Sequence, residues 1–356
     1  MRLRVGILGA TGAVGQTFVE LLAEHPLFEV TALAASERSA GKPYREAVNW
    51  LGRRELPEGI GDLTVQEAAP PLDCDLVFSG LDAAVAGDIE AAFARAGYPV
   101  ITNARNYRLD ATVPLLIPEI NPDHTALIDR QDWGPDGAYI VTNPNCSTVG
   151  LVMALKPLDQ AFGVEAVHVV TMQALSGAGY PGVPSLDSLA NVIPFISGEE
   201  EKMAAETRKL MGYMVGGEAI PSEIIVSAQC NRVPVEHGHT ECVSVRLRTP
   251  ATPEEAAEAL RSWRSPLAEL NLPTAPAQPL RIYDDPRYPQ PRRHAFAGGG
   301  MQVGVGRLQA CPVLGLKFVV LSHNTIRGAA GGAILNAELL HAQGRLQSRE
   351  AAVAAG

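Results

Sequence analysis

The chain has 356 residues, 46% of them hydrophobic and 19% charged, with a formal net charge of −10. That length exceeds the roughly 100–200 residues that one core usually organises, so two domains are expected. The acidic excess offers nothing to neutralise a phosphate backbone, which argues against nucleic-acid binding. No uncharged apolar run reaches about 18 residues, so no membrane span is expected either. Leu3–Leu8 reads as a strand that runs straight into a glycine turn over residues 9–15, without the separate apolar segment and cleavage site of a signal peptide. Residues 16–24 place Phe18, Leu21 and Leu22 on one helical side, and Phe28–Ala35 reads as a second strand. A strand over 75–79, a helix over 83–95 and a strand over 98–103 continue the alternation. Such an order predicts a parallel sheet with helices on both faces.

After Asn143 the pattern changes. A helix is expected over 149–155, more strictly alternating strands over 167–175 and 242–247, and a loop or short helix over 181–195. A late strand follows over 316–321 and an Ala/Leu-rich helix over 328–342, with fraying after about Gln347. The fold class expected is α/β: a Rossmann-type doubly wound parallel sheet joined to a second, α+β domain. No internal repeat is evident.

The turn Gly9-Ala-Thr11-Gly12-Ala13-Val14-Gly15 lies between strand and helix. Glycines there permit close approach of a pyrophosphate, and the helix start supplies free N–H groups and the positive dipole end. A string of three glycines is weak alone; the strand–turn–helix context makes it a dinucleotide site. An NAD site commonly ends its second strand on an acidic residue. Here Ser36, Arg38 and Ser39 suit a ribose 2′-phosphate, so the expected cofactor is NADP, although Glu37 would suit an NAD ribose.

Five cysteines are present, with no CxxC pair and no Cys/His cluster, so no metal site is expected and the protein reads as reduced and cytoplasmic. Cys146 alone sits among Asn, Pro, Ser and Thr just ahead of a helix, where the dipole favours thiolate and backbone N–H groups can hold an oxyanion. Cys74, Cys230, Cys242 and Cys311 read as structural. A thiolate nucleophile needs a proton-transfer partner, and Arg232 to Thr240 offers His237 and His239. Two residues apart, they would share one face of a strand, and position alone divides the work between them. Arg232 suits bidentate recognition of a carboxylate.

The strings GATGAVG, NPNCST, TMQALSGAGYPGVPSLDSLANVIPFISGEEEK, RVPVEHGHT and HNTIRGAAGGAILNAEL together resemble aspartate-semialdehyde dehydrogenase, in particular its archaeal and fungal branch. The resemblance runs from Gly9 to about Leu340. It implies Cys146 as nucleophile, His239 as acid/base with His237 a bystander, and Gln173 orienting the reacting carbonyl. Arg232 would grip the substrate carboxylate, Glu199 its ammonium, Lys202 and Arg108 its phosphate, with Asn145 assisting. Which of Glu199 to Glu201 meets substrate is left open, as is the role of Arg105. Ser79, Ser176, Gly177 and Asn324 would contact the cofactor, Asn324 near the nicotinamide amide. The implied reaction is NADPH-dependent reductive dephosphorylation of L-4-aspartyl phosphate through a cysteine thioester, in lysine, threonine and methionine biosynthesis. The expected domains are 1–145 for the cofactor and 146–322 for catalysis and oligomerisation, as a homodimer or homotetramer, with a C-terminal helix, about 323–356, returning to the first. Other readings are malonyl-CoA reductase, N-acetyl-glutamyl-phosphate reductase and a non-catalytic NADP-binding sensor.

Overall fold

The structure is a computed structural model that describes residues 2–349. Residues 350–356, the end of the expected returning segment and most of the tail expected to fray, lie outside the described residues.

Six strands form the first sheet: β1 (Leu3–Leu8), β2 (Phe28–Ala35), β3 (Val65–Glu67), β4 (Leu76–Ser79), β5 (Val100–Thr102) and β6 (Ile140–Thr142). Their spatial order is β3-β2-β1-β4-β5-β6 and every pairing is parallel. Helices cover both faces, so the strands are buried on both sides and read as apolar runs rather than as alternation. Strand order reverses between β1 and β4, and an open α/β sheet binds ligands in the crevice at such a point. Gly9 follows β1 there with φ +76°, and a Cβ on it would meet Gly80 O after β4 at 2.9 Å. The first helix, Ala13–Leu22, begins right after Gly12 rather than at Gln16. Ala13 and Gln16 of its first two turns line the crevice, while Val14 packs on the core.

The second sheet uses β7 (Val164–Gln173), β10 (Ile225–Arg232), β11 (His239–Leu247), β12 (Leu280–Tyr283), β13 (Val303–Cys311) and β14 (Gly315–Ser322) in the order β10-β7-β11-β14-β13-β12. A separate hairpin joins β8 (Tyr213–Val215) to β9 (Glu218–Ile220). The helix Cys146–Phe162 packs on β7, β11 and β14, far longer than its expected core of seven residues. Its burial almost all round hides the amphipathic period. On the opposite face of this sheet His168, Cys242 and Arg246 are exposed, which explains the alternation of β7 and β11.

One bulky core unites Leu3, Val5 and Phe18 with Ile334, Leu335 and Leu339 of the helix Gly331–Ala342. A π-turn, Ile326–Ala330, precedes that helix. Its Arg327 is fully buried and makes a two-pronged ion pair with Glu119, at 2.6 and 2.8 Å. No described helix is long and apolar enough to cross a membrane.

Candidate active site

Cys146 is the first residue of its helix. Asn145 caps it, Oδ1 accepting from the Ser147 and Thr148 N–H groups at 2.9 and 3.3 Å. Cys146 Sγ lies 3.1 Å from His239 Nε2. His239 opens β11, and Ala174 N–H donates to its Nδ1 at 3.0 Å. A nitrogen that accepts an N–H carries no proton, so the neutral ring keeps its proton on Nε2, facing the sulfur. Behind this pair, Gly328 of the π-turn packs so tightly that a Cβ there would meet Cys146 Cβ at 2.8 Å. Gly177 packs the other side: a Cβ would meet Arg232 Nη1 at 2.9 Å and His239 Cε1 at 3.0 Å.

A third element is the helix Glu199–Leu210. Glu199 is buried; its Oε1 accepts from Asn145 Nδ2 at 2.6 Å and Gln173 Nε2 at 3.2 Å, and its Oε2 from Lys202 Nζ at 3.0 Å. The choice among the three glutamates is thereby spatial. Glu200 instead accepts the Cys230 N–H, and Glu201 is exposed. Arg232 is buried and donates to Ala174 O at 2.8 Å, with no ion pair among the described residues. A desolvated guanidinium without a counter-charge is costly, and a ligand carboxylate would complete it. Arg108, also buried, is committed to Glu206 and to Asn103 O, while Arg105 is exposed nearby.

The charge states depart from the expectation of a resting thiolate. Burial, then the Glu199 carboxylate, push the Cys146 thiol up to about 12, against the pull of Arg108 and Arg232. Burial, then Arg232, bring His239 down to about 3. The resting pair is therefore a neutral thiol and a neutral imidazole; the helix dipole is outweighed by desolvation. Burial alone would raise Glu199, but Lys202, Asn145 and Gln173 hold it below its ordinary value.

At the cofactor turn, Gly12 provides no side-chain cap, so the N–H groups of Ala13, Val14 and Gly15 are those a helix start leaves unpaired. A Cβ on Gly15 would collide with Gly9 O, so helix and turn can close up only with glycine. A cavity of about 500 Å³ runs from Ala13 and Gln16 to Ser176 and His323. Asn324 Nδ2 donates to Ser176 Oγ at 2.8 Å, and Asn324 Oδ1 accepts from Gly238 N–H at 2.9 Å. Ser36 and Arg38 are exposed after β2, with Ser39 half-buried on the same turn and Thr11 half-buried on the glycine turn. These residues fit a dinucleotide: open N–H groups, a glycine cradle and a free guanidinium where a 2′-phosphate would lie.

Two expectations need correction. Ser79 does not offer its hydroxyl to the crevice: it is fully buried and donates to Glu90 Oε1 at 2.6 Å. His237 does not share a strand face with His239, because Gly238 at φ +94° breaks the chain before β11 begins. His237 instead meets Ser176 Oγ at 3.0 Å and stacks on His323. Sequence reasoning missed Glu206, Gly328, His323 and the Ala174 N–H. Only the spacing of Glu206, two helical turns beyond Glu199, gave a signal.

The parallel sheet with its glycine turn, beside a thiol–imidazole pair at a helix start, defines a two-domain, dinucleotide-dependent dehydrogenase. Residues 4–128 match the family model "Semialdehyde dehydrogenase, NAD binding domain", and residues 155–327 match "Semialdehyde dehydrogenase, dimerisation domain". The aspartate-semialdehyde dehydrogenase of Archaeoglobus fulgidus is 50% identical over 343 residues, 96% of this chain and 98% of that one. That of Candida albicans is 47% identical over 358 residues, again 96% and 98%. A crystal structure of the Candida albicans enzyme with NADP superposes with TM-score 0.89 at 46% identity, covering 96% of this chain and 99% of that chain. The chain belongs to the aspartate-semialdehyde dehydrogenase family.

Proposed function

We propose that the chain reduces L-4-aspartyl phosphate to L-aspartate 4-semialdehyde with NADPH, releasing phosphate. The observation that carries this reading is the 3.1 Å contact of Cys146 Sγ with His239 Nε2, where Gln173, Glu199, Arg232 and Arg108 converge. Arg232 takes the substrate carboxylate, Glu199 its ammonium, and Arg108 with Lys202 the phosphate. Cys146 Sγ attacks the acyl carbon, its S–H proton leaving with the phosphate, while the Nε2–H of His239 donates a hydrogen bond that stabilises the charge on the sulfur. Phosphate leaves with the electron pair of the C–O bond, and a thioester remains on Sγ. NADPH, when bound, supplies the hydride that the thioester accepts. Collapse of the resulting hemithioacetal returns the bonding pair to sulfur, to which His239 relays a proton, its Nε2 proton being replaced from solvent. Gln173 orients the carbonyl, and Asn145 holds the helix start.

The cofactor lies along Gly9, Thr11, Gly12, Ala13 and Val14, with its 2′-phosphate at Ser36, Arg38 and Ser39 and its nicotinamide end at Ser176, Gly177 and Asn324. Residues 1–145 with the returning C-terminal segment form the cofactor domain, and 146–322 the catalytic one. The exposed face of the second sheet, where Ile225 is 66% exposed, joins two copies into at least a homodimer. The protein works in the cytoplasm.

A substrate panel tests the reading. Aspartate semialdehyde with phosphate and NADP should be turned over, whereas malonyl-CoA and N-acetyl-glutamate semialdehyde should not. Cys146→Ser should bind NADPH and lose most turnover; near wild-type turnover of that variant would end the covalent mechanism.

A further inference from the structure

Glu206 takes no part in the chemistry above, yet it is buried at its centre, 2% exposed. Its Oε2 accepts the Asn145 backbone N–H at 2.5 Å, one peptide before the nucleophile. Its Oε1 accepts from Arg108 Nη1 at 2.9 Å. One carboxylate thus bridges the guanidinium assigned to the substrate phosphate and the backbone that carries Cys146. The same helix grips Arg108 a second time. Lys209 Nζ donates to the carbonyls of Arg108, Asp110 and Val113 at 2.9, 2.6 and 2.8 Å, pinning the turn from which Arg108 projects. Arg108 Nε stays buried without a partner, so the guanidinium retains unspent hydrogen-bonding capacity.

In an acyl phosphate a single oxygen separates the carbon that Sγ attacks from the phosphorus. The distance between nucleophile and phosphate-gripping guanidinium must therefore be held to a fraction of an ångström. Among the described residues no hydrogen bond links Asn145 to Arg108 directly; Glu206 spans them.

We propose that Glu206 is a positioning residue that fixes Arg108 relative to Cys146 and so makes the phosphate site. This rests on the reading of Arg108 as a phosphate ligand. Glu206→Gln keeps an acceptor for the Asn145 N–H but removes the charge that orients the guanidinium. Glu206→Asp keeps the charge and retracts it by one methylene, too short to bridge both partners. Calorimetry of the whole chain with inorganic phosphate, and separately with NADP, reads the effect without requiring turnover. Both variants should bind phosphate about tenfold more weakly than wild type, with NADP affinity unchanged. On an Arg108→Gln background, Glu206→Gln should cause no further loss, because it acts through that side chain. Unchanged phosphate affinity, parallel weakening of NADP, a full additive loss in the double variant, or no phosphate binding by wild type would each overturn the assignment. Oxidation of aspartate semialdehyde by the wild type is scored independently, so failure of the proposed function is distinguishable from failure of this inference.

Discussion

Adding one methyl group at Gly177 is the sharpest probe of the active-site geometry. Gly177 has no positive φ, so alanine is not excluded by the backbone and the cost is contact alone. The new Cβ would stand 2.9 Å from Arg232 Nη1, 3.0 Å from His239 Cε1 and 3.2 Å from His239 Nε2, where ordinary contact begins near 3.4 Å. Relief therefore requires the guanidinium and the imidazole to retreat by roughly half an ångström. His239 cannot retreat freely, since Ala174 N–H holds its Nδ1, so the ring must tilt away from Cys146 Sγ. A displacement of about 1 Å in a reacting group costs about a hundredfold in rate, so half of that should cost about tenfold. Gly177→Ala is expected to lower kcat about tenfold and to raise the KM for aspartate semialdehyde through Arg232, while the melting temperature stays close to wild type. The assay is NADPH formation from aspartate semialdehyde and phosphate, alongside NADPH binding by fluorescence. A variant with kcat within twofold of wild type would refute the packing argument and with it the claimed closeness of His239 to the sulfur.

Alkylation should rank the cysteines by environment. Burial keeps Cys146 at about 12, whereas N–H groups of Leu314 and Val313 lower the Cys311 thiol, so iodoacetamide near pH 8 should modify Cys311 first. The rate at Cys146 should still climb above about pH 10, and mass spectrometry showing a plateau near neutrality would contradict this. Burial pushes Glu90 from 4.5 up to about 7, against hydrogen bonds from Ser79 and Thr102. A raised carboxyl favours folding fully below its unfolded value and loses that contribution as pH rises through about 7. At about 1.36 kcal/mol per pH unit the loss is about 3 kcal/mol. Urea midpoints should fall between about pH 5 and about pH 8 in wild type and stay flatter in Glu90→Gln; equal slopes would dismiss Glu90 as the cause. Arg327→Met leaves Glu119 charged and buried, which should destabilise by about 3–5 kcal/mol, and Arg327→Met with Glu119→Leu should recover most of it in chemical denaturation. A double variant as weak as the single one would show that the ion pair is not what matters there.

Local pattern was enough for much of this protein. Apolar runs such as Leu3–Leu8 and Phe28–Ala35 declare strands buried on both faces, and the glycines between Gly9 and Gly15 declare a turn that something must approach closely. Cys146 could be singled out because its neighbours are those of a helix cap, a contact between residues two or three apart. The Ala/Leu helix near the C-terminus announced its burial by composition, though not its π-turn, which arises where Gly328 must pass against Cys146.

Tertiary structure alone decided the rest. His239 meets Cys146 across 93 residues of sequence, and Glu206 meets Asn145 across 61, distances at which no periodicity carries information. The two histidines were equivalent until Gly238 turned one out of the strand, and three consecutive glutamates were equivalent until helix phase buried the first. The charge on the sulfur depended on how much protein lies over it, because desolvation there exceeds the pull of the helix dipole and of two arginines. Spacing along a chain specifies which side of an element a residue takes; which charges then face one another, and how dry they are, is set only when the sheets and helices have packed.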